Sequence, residues 1–172
     1  MKKQKGFSLI ELLIVVAIIL IIAAIAIPNL LRSKIAANES SAVGSIRTIV
    51  TAQVTYSSSW GTGYAAALGN LAGAVPCTAS AATACLIDPI LGAGLKSGYT
   101  FGTAGTLPQV VAGVNVNEGF EVNGTPATVG VTGQRSFCAD QSGVIHFGPT
   151  GAAIGLGAGV CAGLPATQVL GN

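Results

Sequence analysis

Phe7-Ser8-Leu9-Ile10-Glu11-Leu12-Leu13-Ile14-Val15-Val16-Ala17-Ile18-Ile19-Leu20-Ile21-Ile22-Ala23-Ala24-Ile25-Ala26-Ile27-Pro28 decides the fold. From Phe7 to Ile27 the run is apolar apart from Ser8 and one carboxylate, Glu11. As a helix it is about 32 Å long at about 1.5 Å per residue, which matches the roughly 30 Å hydrocarbon core of a bilayer. Lys2, Lys3 and Lys5 precede it and predict a cytoplasmic amino end, with everything after Ile27 on the other side. Glu11 is the anomaly, because a carboxylate in hydrocarbon is costly without a partner or a task. One reading has it at the interface, snorkelling or protonated. The other has it awaiting a positive charge, and a new amino terminus at Phe7, made by cutting after Gly6, is the nearest candidate.

The pattern continues past Pro28. At 100° per residue, Leu31, Ile35, Ala42, Val43, Ile46, Ile49, Val50 and Val54 fall on one stripe, and Ser33, Ser40, Gly44, Thr48, Thr51 and Thr55 fall opposite. This predicts an amphipathic helix to about Ser58, continuous with the first and kinked at Pro28, where the ring removes a backbone hydrogen bond. Arg32 and Glu39 lie on the apolar stripe, as solvated charges or as partners of neighbouring subunits.

Lys5-Gly6-Phe7-Ser8-Leu9-Ile10-Glu11, the unbroken apolar run and Pro28-Asn29-Leu30 closely resemble the type IV pilin and pseudopilin family. The resemblance is strong from Lys5 to about Ser58. It implies an α+β pilin fold: a long N-terminal helix, membrane-spanning in its first half and amphipathic in its second, packed on a small antiparallel β-sheet head. It implies cleavage by a prepilin peptidase between Gly6 and Phe7 and methylation of the new Phe7 amine. It also implies that Glu11 neutralises that amine on a neighbouring subunit. The partners implied are other copies of the chain, the peptidase, an inner-membrane assembly platform with its ATPase, and membrane lipid before assembly. The precursor is then an inner-membrane protein with a periplasmic head, and the product is a surface pilus. A type II secretion pseudopilin or a minor pilin shares the same N-terminal features.

Composition is lopsided, at 51% hydrophobic, 8% charged and 24 glycines, and part of the low charge belongs to the membrane segment. The net charge of +2 is local to the leader lysines, so nucleic acid is not indicated. Ala24-Ile25-Ala26 has the form of a signal-peptidase site, but the apolar run is longer than such a region and Glu11 interrupts it. Cys77, Cys85, Cys138 and Cys161, in a domain expected outside the cytoplasm, read as two disulfides. Three connectivities are open, and free buried thiols are the alternative. The shortest loops favour Cys77–Cys85 and Cys138–Cys161, and the second resembles the family's stapled carboxyl-terminal loop. Zinc spacing is missing, and no metal or other cofactor is expected.

The sequence divides into a leader (1–6), a transmembrane half-helix (7–28), an amphipathic half-helix (29–58), a connecting loop (59–97), a sheet (98–147) and a Gly/Ala-rich tail (148–172). Within the loop, Leu86 to Leu91 reads as a helical turn capped by Asp88. Strand candidates are Gly98 to Phe101, Gln109 to Val116, Gly119 to Val122, Arg135 to Cys138 and Val144 to Phe147. Gly92 to Ser97 nearly spells a phosphate loop but has Leu95 where glycine is needed and a strand after it, so it reads as a turn. Lone His146 sits in a strand with no nucleophile motif beside it. No catalytic residue is expected.

Overall fold

The computed structural model describes residues 7–157 and 159–170. The expected leader, including Gly6 of the cleavage junction, and the last residues of the expected tail lie outside them. The chain divides into two compact units, Met1–Lys34 and Ile35–Asn172.

Helix α1 is Leu9–Trp60, with Pro28 inside it. In the first unit, every described side chain except the half-buried Ala23 is exposed. This segment of α1 is long and apolar enough to cross a membrane.

In the second unit, the rest of α1 is followed by α2 (Leu68–Leu71) and α3 (Pro89–Gly92), then strands β1 (Leu95–Lys96), β2 (Tyr99–Val111), β3 (Val114–Pro126), β4 (Ser136–Asp140) and β5 (Ile145–Gly148). The strands form one antiparallel sheet in the order β1-β2-β3-β4-β5. The expected α+β class, a long helix on a small antiparallel sheet, is the observed one. Ala42, Ile46, Ile49, Ala52 and Tyr56 of α1 are buried with Tyr99, Phe101, Phe120, Val122 and Phe137 of the sheet. Asp88 caps α3: its carboxylate accepts the Leu91 N–H at 2.9 Å, and Pro89 occupies the first helical position.

The buried stripe differs from the expected one. Val54 is exposed, whereas Ser45 and Gln53, which lie off the expected stripe, are buried. Gln53 closes a ring of hydrogen bonds with the backbone of Ala65. Its Nε2 donates to Ala65 O at 3.0 Å and to Thr103 Oγ1 at 3.1 Å, and its Oε1 accepts the Ala65 N–H at 2.8 Å. Gly61, at φ 64°, directly follows the helix.

The expected strand Gln109 to Val116 is two strand ends around a turn. Val111 pairs with Val114, and the residues between them, Ala112 and Gly113, have φ of 51° and 82°. Two positive φ values mark the two-residue hairpin turn whose twist suits antiparallel strands. Alanine rarely occupies that position, so alternating valines concealed the turn. β2 and β3 are therefore longer than their sequence signals, and their far ends form an exposed arm. At the opposite edge of the sheet, His146 bridges to Val169 and Leu170 N–H donates to Ile145 O at 2.8 Å, so the tail covers β5.

Candidate functional site

Two places carry the chemistry singled out in the sequence. The first is the start of α1. Ser8 precedes the helix, and its backbone N–H donates to Glu11 Oε2 at 2.9 Å. The carboxylate thus satisfies one of the donors orphaned at a helix start and stands at the positive end of the helix dipole. Ser8-x-x-Glu11 is the sequence signature of a capping box, a signal the apolar run had obscured. Phe7, beside it, is 84% exposed. Glu11 has no ion-pair partner among the described residues.

The second is Glu39. It is buried and bonded within its own head. Its Oε1 accepts the backbone N–H groups of Gln134 (2.9 Å) and Arg135 (3.1 Å), and its Oε2 accepts Arg135 Nε (2.9 Å) and Nη2 (2.7 Å). Four donors use the acceptor capacity of this carboxylate inside its own head, which corrects the expectation of solvation or an intersubunit pair. Burial pushes the Glu39 carboxyl up, but the Gln134 N–H and then the Arg135 hydrogen bonds and charge outweigh it, leaving it below its ordinary value. The Arg135 guanidinium also lies over the rings of Phe137 and Phe147, at 5.6 and 5.4 Å from their centroids. Tyr99 donates its hydroxyl to Arg135 O at 2.8 Å, and burial followed by the Glu39 charge raises its pKa. Arg32, the other expected intersubunit charge, is exposed.

Disulfides join Cys77 to Cys85 and Cys138 to Cys161. The second ties the tail to β4, and Glu121 holds the same loop. Glu121 is buried, and its two carboxylate oxygens accept the N–H groups of Gly157 (2.9 Å) and Cys161 (3.0 Å). Sequence reasoning missed Gln53, Glu121 and Arg135. An acidic residue between Phe120 and Val122 in a strand was the available signal for Glu121.

The prokaryotic N-terminal methylation motif matches residues 1–27. The chain is similar to the type IV wide pilus major component PilA4 of Thermus thermophilus, 60% identical over 40 residues, which are 23% of this chain and 30% of that protein. It is also similar to the type IV major pilin protein PilA of Myxococcus xanthus, 46% identical over 54 residues, 31% of this chain and 24% of that protein. The matched stretch spans less than a third of either relative's length. No solved structure matches. By this motif and these two relatives the chain is similar to type IV pilins, and its α+β fold is consistent with theirs.

Proposed function

We propose that this chain is the structural subunit of a type IV pilus. The observation that carries the reading is the segment Phe7–Ile27, whose large apolar side chains are all uncovered and which carries the methylation motif and a single carboxylate. Such a surface is stable only in lipid or against other apolar helices. The segment therefore holds the precursor in the inner membrane, with its amino end cytoplasmic and its head periplasmic. A prepilin peptidase cuts after Gly6, and the new Phe7 amine is methylated. That cation meets Glu11 of a neighbouring copy within a bundle of apolar helices. Desolvating the pair is costly, so its role is to fix register, and the apolar helices supply cohesion. Repeated head-to-tail contacts do not close, so the product is a filament. An assembly platform and its ATPase supply the extraction work.

Intact mass of material sheared from the cell surface, without reductant, tests this. The expected mass begins at Phe7, carries one added methyl, and lacks the hydrogens removed by both disulfides. A chain cut after Gly6 but retained in the membrane would instead mark a secretion pseudopilin. A chain starting at Met1 or after Ala26 would overturn the reading at its first step.

A further inference from the structure

Most charges of the second unit are satisfied within it. Glu39 pairs with Arg135, and Asp88 with Lys96. Glu121 accepts two backbone N–H groups, and Asp140 Oδ1 accepts the Ser142 N–H at 2.8 Å. Among the described residues, Glu118 and Arg47 have no such partner. Glu118 is exposed and sits where the β2–β3 ladder skips a pair, opposite the left-handed Leu107 (φ 51°).

Its place along the head can be read from contacts. At one end, Asn38 Nδ2 donates to Thr132 O, and Gly98, which precedes β2, lies against Thr132 and Asn38. At the other, Tyr64 N–H donates to Asn117 O at 2.9 Å, and Glu118 borders a depression with Ser57 and Gly61 at the end of α1. α1 rises about 33 Å from Asn38 to Trp60, and β2 covers about 30 Å from Tyr99 to Pro108. β2 therefore runs beside the helix to its end, and the turn at Ala112-Gly113 lies about 10 Å or more beyond. Side chains two and four apart on a strand, and those directly paired across it, share a face, so Val111, Val114 and Glu118 share one. Val111 and Val114 are 54% and 50% exposed.

The chain enters this unit at Ile35, the end near Asn38. Just before it, Leu30, Leu31 and Lys34 have the i, i+3 and i, i+4 spacing that places them on one helix face. Both leucines and Lys34 are exposed, and Lys34 has no partner among the described residues. One uncovered surface is thus the β2–β3 arm at the far end of the head, and another is the helix face that leads by sequence into Ile35; each carries aliphatics and one charge, and the charges are opposite.

We propose that the β2–β3 arm of one copy docks on Leu30–Lys34 of another, with Val111 and Val114 against Leu30 and Leu31, and Glu118 against Lys34. The contact rests on the filament reading above and names the surface that repeats in it. It joins unlike ends, so it propagates instead of closing a dimer. Val114 and Glu118 are about 13 Å apart along the arm. Leu30 and Lys34 are about 6 Å apart along the helix, and the long lysine and glutamate side chains span the difference.

Carbodiimide treatment of sheared fibres tests the contact directly. Activated Glu118 is attacked by the Lys34 amine, forming an isopeptide bond, with the elements of water taken up by the carbodiimide. The expected product is a dimer-sized species, resistant to reductant, whose cross-linked peptide joins these two residues. Lys34→Arg keeps the charge and should abolish the cross-link with fibres intact. Cross-links joining Glu118 to Lys96 or to the Phe7 amine, or dimers never containing Glu118, would overturn the proposal. Glu118→Lys should lower sheared fibre roughly fivefold, the factor for about 1 kcal/mol per contact, and adding Lys34→Glu should restore it. Undiminished fibre from Glu118→Lys, or rescue by Arg32→Glu or Arg47→Glu instead, would also overturn it. Absence of the wild-type chain from sheared material would be a failure of the filament reading itself, and is seen before any variant is made.

Discussion

Leu9–Ile27 and Ala42–Tyr56 belong to the same helix and are both rich in isoleucine, valine and alanine, yet they differ in what covers them. In the first, Ile14, Ile18 and Ile22 are each more than half exposed. In the second, Ala42, Ile46 and Ile49 are fully buried against the sheet. The first segment has no polar alternation and needs apolar surroundings on every side. The second alternates and needs only one face covered. One helix therefore serves two environments, and the head's stability should be independent of the segment that precedes it. Truncating the same side chain in each segment tests that independence. Ile46→Ala removes a fully buried side chain and should destabilise the head by about 2–5 kcal/mol. Ile18→Ala should leave head unfolding within about 0.5 kcal/mol of wild type. Guanidinium unfolding of the detergent-solubilised chain, followed by Trp60 fluorescence, measures both. Equal effects would mean that the two segments are not energetically separate.

The first segment was legible because its signal is local: a long apolar run, one carboxylate and a basic head are all contiguous. The head was legible only where local chemistry spoke. Asp88-Pro89 predicted the start of α3, and an even cysteine count predicted bridges. The contacts that organise it are remote in sequence. Glu39 and the Arg135 side chain are 96 positions apart, and Gln53 and Thr103 are 50 apart. Periodicity assigns Glu39 to the apolar stripe but cannot say what satisfies it there, and the burial of Gln53 depends on a backbone partner that periodicity does not reveal. The hairpin was misread for another reason: its turn uses Ala112 in the left-handed region, where sequence statistics expect asparagine or glycine.

A second, smaller contrast lies within the head. The sheet centre is held by packing, whereas the tail is held by Glu121 and the Cys138–Cys161 bridge. Glu121→Ala leaves two backbone N–H groups without their acceptor and should cost about 1–3 kcal/mol. The effect should concentrate in the tail. Hydrogen exchange at Gly157 and Cys161 should accelerate, while amides of β2 and β3 near Phe120 keep their protection. Glu121→Gln, which retains one acceptor oxygen, should fall between. Uniform acceleration across the sheet would show that the tail is part of the core and not an appendage to it.

The smallest effect concerns charge. The Glu39 carboxyl has a lower pKa in the folded head than in the unfolded chain, because the Gln134 N–H and Arg135 outweigh the cost of burial. Ionised Glu39 therefore contributes stability that is complete above the ordinary carboxylate range and is lost as pH falls through the folded-state value. Asp88 acts in the same direction, lowered by the Leu91 N–H and by Lys96, but it is exposed and screened. Glu39→Gln should lower stability at neutral pH and flatten its decline in acid, so the variant and wild-type curves converge as pH drops. Lys96→Ala should shift stability by less than about 1 kcal/mol and leave most of the acid slope in place. Thermal unfolding of the detergent-solubilised chain at a series of pH values distinguishes the two sites. An unchanged acid slope in Glu39→Gln would move the head's acid sensitivity away from the helix–sheet ion pair. The contrast between a self-contained head and an uncovered helix would then rest on packing alone.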